Sequence, residues 1–221
     1  MIRCWHAEGS QVRAVAPGEA VRLALSGPGA VWLDMDDEPG PAVGAALAPL
    51  GIHPLALEDM VVDVNRPKVD SYGRYVYVVV HSARWDEDRP ELREIDLLIG
   101  ERFLVTHHEG ATRSVATAHE LLPRRPELLA RGPAPLMHLL LDVMVDNWLP
   151  IVDQVSDEID GLEESLFDRA DPELHRRILR LKRGMSALRR IVGPQRDTTL
   201  PLTRHDLAPP PAEPRPHPPD P

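Results

Sequence analysis

Apolar residues fall in three rhythms along this chain, and each predicts a different kind of element. Over residues 1–35 they come in short bursts, of which Val31-Trp32-Leu33-Asp34 is the clearest, separated by Pro17-Gly18 and Gly27-Pro28-Gly29. That pattern predicts short strands joined by loops. Residues 42–50 are alanine-rich and read as a helix stopped by Gly51. Pro54 then sits where a first helical turn tolerates proline, and residues 55–64 continue as a second short helix. The run Tyr75-Val76-Tyr77-Val78-Val79-Val80 is apolar at every position, which predicts a central strand covered on both faces. Residues 95–99 and 102–106 flank Gly100-Glu101, as in a two-residue hairpin. Residues 112–122 predict a helix ended by Pro123. Strands and helices interleave this far, so the expected class is α/β, a mixed sheet covered by helices.

From Leu136 the period becomes helical. Trp148, Val152, Val155, Ile159, Leu162 and Leu166 recur at spacings of three and four, and Leu174, Ile178, Leu181, Met185, Leu188 and Ile191 do the same. Asp171-Pro172 supplies a cap and a preorganised first helical residue. Two long amphipathic helices in an antiparallel hairpin are expected. Residues 146–168 hold eight acidic residues and no basic one, and residues 176–196 hold eight basic residues and no acidic one. Exposed ion pairs contribute only ~0.2–1 kcal/mol each, so this charge split selects orientation more than it stabilises. Residues 207–221 contain eight prolines and predict a disordered tail. The expected organisation is a sandwich over 1–132, a helical arm over 133–206 and the tail over 207–221.

Composition narrows the function. Aromatics are only 4 % of the chain, so the core must be aliphatic. A net charge of −10 repels nucleic-acid phosphates and suits cations as ligands. The single cysteine, Cys4, excludes an intrachain disulfide and a Cys-based zinc site. The longest uncharged run, residues 39–57, is interrupted by Pro39, Pro41, Pro49 and Pro54, and reads as turns and short helices, so no membrane-crossing segment is expected. No Gly-rich phosphate loop, Gly-x-Ser-x-Gly elbow or metal-hydrolase spacing is present, which argues against an enzyme.

One segment is more specific. It reads Gly51-Ile52-His53-Pro54-Leu55-Ala56-Leu57-Glu58-Asp59-Met60, then Arg66-Pro67-Lys68-Val69, then the strand 75–80. It resembles the cytoplasmic domain of the CorA family of magnesium and cobalt channels. Matches continue through residues 97–106, 139–148 and Ser156-Asp157-Glu158-Ile159-Asp160, so the resemblance covers residues 30–205 in unbroken order. It implies an α/β/α sandwich with a long helical arm, five copies in a homopentameric funnel, and a stalk helix leading to two membrane helices with a Gly-Met-Asn pore motif. It further implies carboxylates between neighbouring copies that bind Mg²⁺ weakly, admit Co²⁺ as a second ion, and hold the pore closed. This sequence departs from the pattern after its basic helix, where the proline-rich segment stands in place of stalk and membrane helices. Gly184-Met185-Ser186 lies inside the charged helix and is not the pore motif. The expectation is therefore a regulatory, Mg²⁺-sensing part at the cytoplasmic face of a membrane that this soluble chain does not itself enter. Two alternatives stand beside it: a non-conducting interaction protein of the same fold, and a zinc-transporting relative.

The candidate metal residues are Asp59, Glu58 and Asp142, because they match carboxylates that the resemblance assigns to regulatory ion sites. Taken as a helix, residues 55–64 place Leu57, Met60, Val61 and Val64 on the buried side. Asp59 then points almost directly outward, with Asp63 one turn on and Glu58 at the flank. Asp142, Asp146, Asp153, Asp157 and Asp160 form an acidic stripe, which for Asp153 onward reads as a solvated face. The stalk carboxylate that completes the family's main site has no match here. His107-His108-Glu109 and His81 suggest zinc, but adjacent histidines on a strand point to opposite faces. His53 is expected to cap the helix at Pro54, and Lys68 and Arg66 to pair with carboxylates.

Overall fold

The structure is a computed structural model that describes residues 1–61, 65–86, 89–166 and 172–203. The chain runs β1 (Ile2–Glu8), β2 (Gln11–Val15), α1 (Pro17–Ser26), β3 (Ala30–Asp36), α2 (Gly40–Leu47), a 3-10 turn (Ala48–Leu50), α3 (Pro54–Val61), β4 (Lys68–Ser71), β5 (Tyr75–Asp86), β6 (Arg89–Gly100), β7 (Phe103–His108), α4 (Arg113–Leu121), α5 (Glu127–Ala130), α6 (Ala134–Asp146), α7 (Trp148–Leu166) and α8 (Pro172–Thr203). The strands form one sheet in the order β2-β1-β3-β7-β6-β5-β4. Among the described residues only β3 and β7 pair in parallel.

Alternation along the strands builds two cores. On the first face Trp32, Val78, Val80, Leu97 and Leu104 pack under α4, α5, α6 and Leu202 of α8. On the second, Leu33, Met35, Tyr77, Val79, Leu98 and Val105 pack under α1, α2 and α3. The result is the expected mixed sheet between helical layers.

Four details correct the sequence reading. Residues 17–26 are helix, where a loop at Pro17-Gly18 and short strands were expected, because Pro17 opens α1 at its first turn and Ala20, Val21 and Ala24 are buried. The hairpin loop is Glu101-Arg102, since Ile99 pairs with Leu104. Gly100 instead ends β6, where a Cβ would stand 2.3 Å from the Phe103 ring. In α3 the buried positions are Ala56 and Met60, while Val61 is exposed. The helix is therefore rotated from the expected setting, with Ala56 and Met60 turned into the second core and Leu57 only partly buried. Finally, Asn147 separates α6 from α7, and Pro150 just beyond it can donate no hydrogen bond back to Asp146.

The arm follows its periodicity only in part, since Val152, Ile159, Ile178 and Met185 of the expected seam are exposed. Ile151, Val155 and Leu162 of α7 meet Leu174 and Leu181 of α8, with Ala83 and Trp85 of β5 against them. Arg177 pairs with Glu158 across the hairpin at 3.3 Å, as the charge split predicts. α8 continues through Gly193-Pro194 and returns to the sheet. There Gln195, only 4 % exposed, accepts from His81 N at 2.7 Å and donates to His81 O at 3.0 Å. β4 pairs with β5 only as far as Val79, so the Gln195 amide takes the place of the next strand residue. By length and composition Ala134–Ser165 passes for a membrane span, contrary to the sequence expectation. α6 puts Leu136, Met137, Leu140, Leu141 and Met144 into the core, although only 33 % of the apolar window lies inside the fold. The tail 207–221, together with Asp63 and Val64, lies outside the described residues.

Candidate functional site

Asp59 and Glu58 stand on α3, over the second face of the sheet. His53 caps this helix as expected, its Nδ1 accepting from Leu55 N at 3.2 Å. The rotation of α3 leaves Glu58 exposed and Asp59 half-buried at the flank, the reverse of the expected order. Asp59 Oδ2 accepts a hydrogen bond from Lys68 Nζ on β4, and Lys68 also pairs with Asp70 at 3.5 Å. Burial works against the Lys68 charge, but the Asp59 carboxylate prevails and raises its pKa. Asp59 Oδ1 has no hydrogen-bond partner among the described residues.

Behind Asp59 lies a polar cluster that sequence reasoning missed. Asn65 Nδ2 donates to the Asp59 carbonyl at 2.8 Å and to Glu94 Oε1 at 2.9 Å, while Asn65 N donates to Glu94 Oε2 at 2.5 Å. Tyr77 donates to Asp96 Oδ1 at 2.7 Å, and His107 Nδ1 bonds Asp96 Oδ2 at 3.2 Å. Lys68 Nζ lies 5.3 Å from the centre of the Tyr77 ring. Burial pushes the Glu94 carboxyl up to about 7. His107 is raised because Asp96 outweighs the effect of its burial. Glu94, Asp96 and His107 open on a cleft of about 560 Å³ that is also lined by Asp37, Glu38 and Glu109. One signal was available: Asp96 sits inside the apolar run Ile95–Ile99, where a carboxylate must find buried partners.

The first face holds a separate network around Asp34, which is fully buried. Asp34 accepts from Thr106 at 2.6 Å and from Arg3 at 2.9 Å, and bonds His108 Nε2 at 3.1 Å and His119 Nε2 at 2.7 Å. Trp5 donates to His119 Nδ1 at 3.0 Å, so His119 offers its Nε2 proton to Asp34. Burial opposes ionisation of Asp34, but the hydrogen bonds from His108, His119 and Thr106 hold it well below the usual carboxylate range. His107 and His108 thus serve opposite faces, as expected from their adjacency on β7.

Asp142 is exposed on α6, which covers the first face. The sheet therefore separates it from Asp59 and Glu58. Among the described residues no three His, Cys, Asp or Glu side chains gather as a metal-binding group.

A model of CorA-like Mg²⁺ transporter proteins matches residues 28–215. The chain belongs to the CorA-like transporter family. One relative, the putative metal ion transporter YfjQ of Bacillus subtilis (strain 168), is 33 % identical over 145 residues, which is 66 % of this chain and 45 % of that protein. The cobalt/magnesium transport protein CorA of Thermotoga maritima is 29 % identical over 157 residues, 70 % of this chain and 45 % of its own length. The chain thus spans under half the length of these relatives. In fold it resembles the complete CorA magnesium transporter of Methanocaldococcus jannaschii, with a TM-score of 0.75 at 17 % identity over 92 % of this chain and 63 % of that one. It also resembles the ZntB cytoplasmic domain of Vibrio parahaemolyticus, with a TM-score of 0.67 at 12 % identity over 90 % of this chain and 78 % of that one. The family is one of metal ion transporters, not of enzymes.

In this CorA-like chain Asp59 is thus held through one carboxylate oxygen by Lys68, beside the exposed Glu58.

Proposed function

We propose that this chain is the cytoplasmic, Mg²⁺-sensing part of a CorA-type metal ion transporter. In this reading Glu58 and Asp59 hold the ion through water, and Asp142 of a neighbouring copy completes the site. The observation that carries the reading is the placement of Asp59 and Asp142 on opposite faces of the sheet. A contact joining two different faces of one molecule is heterologous, and such contacts close into rings when the rotation permits. A homopentamer is the ring proposed. Bound Mg²⁺ favours whichever assembly gathers the two half-sites, and Co²⁺ can substitute for it. Zinc is the second reading, favoured by the likeness to the ZntB cytoplasmic domain. Against it stand two histidines on opposite faces and a candidate site built of oxygen donors.

The test is a thermal melt of the chain with and without millimolar Mg²⁺, run beside sedimentation velocity, for wild type, Asp59→Ala and Asp142→Asn. A ligand that binds only the folded assembly raises the Tm. The expected result is a Mg²⁺-dependent rise, stronger than with Zn²⁺, that both variants abolish. A wild type indifferent to Mg²⁺ in both measurements removes the sensor role, and a rise unchanged in both variants moves the site elsewhere.

A further inference from the structure

A second cavity, of about 440 Å³, lies where the starts of α4 and α7 meet the end of β5 and the start of β6. It is rich in donors that have nothing to donate to. Thr112 and Arg113, the N-cap and first residue of α4, both line it. Threonine is a good cap because its hydroxyl accepts from an amide of the first turn. Thr112 makes no such bond: it is only 4 % exposed, and its hydroxyl has no partner among the described residues. The helix ladder starts where Ala116 N reaches the Thr112 carbonyl at 3.0 Å. The amides of Arg113, Ser114 and Val115 before it are left as the uncapped, positive end of α4. Trp85 lines the same cavity, and its indole Nε1, which can only donate, is buried without an acceptor among the described residues. Charge points the same way. Three guanidinium groups and one carboxylate line the cavity, in a chain whose net charge is −10. The carboxylate, Glu91, is shared between Arg84 at 3.2 Å and Arg93 at 2.8 Å, and Arg84 also reaches Asp86 at 4.0 Å. Arg113 meets no carboxylate among the described residues, and its Nη1 donates to Asn147 Oδ1 at 3.1 Å.

We infer that this cavity binds a phosphate group, free or carried by a small ester, through the N-terminus of α4, the Thr112 hydroxyl, Trp85 Nε1 and Arg113. Buried donors are rarely left unpaired, and every unpaired group here is satisfied by an acceptor. A phosphate supplies several acceptor oxygens at once, its negative charge suits a helix N-terminus, and a guanidinium binds it through two parallel bonds. The volume falls within the range of small-molecule sites, and Pro150 and Ile151 add apolar lining for the carbon skeleton of an ester. The site shares no residue with Glu58, Asp59 or Asp142, so it stands apart from the Mg²⁺ reading.

Isothermal titration of the whole chain, without divalent ions and at constant ionic strength, tests it with inorganic phosphate, phenyl phosphate and chloride. The expected result is one phosphate group bound per chain and no comparable binding of chloride. Tighter binding of phenyl phosphate assigns an ester, and equal or weaker binding assigns the free ion. Arg113→Gln should raise the Kd by roughly tenfold or more. Thr112→Val should raise it severalfold yet leave the Tm of the ligand-free chain unchanged or higher, because that hydroxyl has no bond to lose. Glu91→Gln releases Arg84 and Arg93 and should tighten binding, a gain that misfolding cannot imitate. Two phosphate probes that bind no better than chloride overturn the inference, as does binding that ignores Arg113→Gln or that Glu91→Gln weakens.

Discussion

Replacing Asp34 by asparagine keeps the volume and removes the charge from the most enclosed ionic network in the fold. The His108 ring makes the consequence calculable. Its Nδ1 faces the Gly110 carbonyl at 2.8 Å and its Nε2 faces Asp34 at 3.1 Å. Both partners only accept, so both ring nitrogens donate and His108 is an imidazolium. This agrees with its raised pKa, to which burial is opposed and Asp34 contributes most. Asp34→Asn leaves that cation, Arg3 and two neutral donors around a group that can no longer answer them all. Breaking a buried pair from one side costs ~3–5 kcal/mol. For a chain of this size each kcal/mol moves Tm by ~2–4 °C, so the expected fall is roughly 6–20 °C. The pH dependence has a defined sign. The depressed pKa of Asp34 contributes stability above its ordinary 3.8 that is lost as pH falls towards the folded value. The raised pKa of His108 contributes stability below its ordinary 6.5 that is lost as pH rises through the folded value. The gap between wild type and variant should therefore be widest between those two pH values. Urea unfolding across pH measures it, and a loss under about 1 kcal/mol with no pH dependence refutes the ionic assignment.

Three further substitutions or probes follow from other parts of the molecule. Gln195→Leu strands the His81 N–H and C=O, each costing ~1–3 kcal/mol when buried and unpaired, so we expect about 2–4 kcal/mol of destabilisation and faster exchange of the His81 amide; a gain in stability would count against the strand-mimic role. Among the described residues neither ring nitrogen of His81 has a hydrogen-bond partner, and burial pushes its pKa down to about 4. An unfolded chain takes up that proton first, so stability is lost as pH falls from 6.5 towards 4, and His81→Leu should raise the urea midpoint more at pH 5 than at neutral pH. Equal gains at both would show that the ring is not kept neutral. Cys4 is buried and its thiol is raised to about 11, so alkylation by iodoacetamide should track global unfolding and stop when unfolding is suppressed.

The sandwich and the hairpin were legible because both rest on period. Tyr75–Val80 announces a strand buried on two sides, and residues 148–191 announce helices with one wet face. Element boundaries failed where local chemistry was outvoted by packing. α8 runs through Gly193-Pro194 to Thr203, within the arm expected over 133–206, and Gln195, Thr198 and Leu202 are buried beyond that pair. Pro17-Gly18 reads as a loop, yet it opens α1. The site was half legible. The motif around Glu58-Asp59 located α3, but the rotation that brings Asp59 against Lys68 depends on Ala56 and Met60 being the residues the second core takes in. Asn65 comes from one stretch and Glu94 with Asp96 from another, β6, and no one-dimensional pattern joins the two.

That cluster bears on how an ion at Asp59 could be felt elsewhere. The Asp59 side chain holds Lys68, whose ammonium lies over the Tyr77 ring, and Tyr77 donates to Asp96. The Asp59 carbonyl holds Asn65, which clamps Glu94. Glu94 Oε2 lies 3.7 Å from His81 Nε2, and the His81 backbone carries Gln195 of the arm. One route through α3 therefore reaches the strand edge on which α8 is latched. A cation that displaces Lys68 from Asp59 acts at the start of that chain. Spatial continuity alone does not make a coupling; a two-state element biased at both ends does. The Gln195 latch, two hydrogen bonds to the His81 backbone, is the link on that route whose opening can be measured. Exchange of the His81 amide with and without Mg²⁺ reads its position directly, and Lys68→Met, which frees Asp59 without any ion, should move that exchange in the same direction as Mg²⁺.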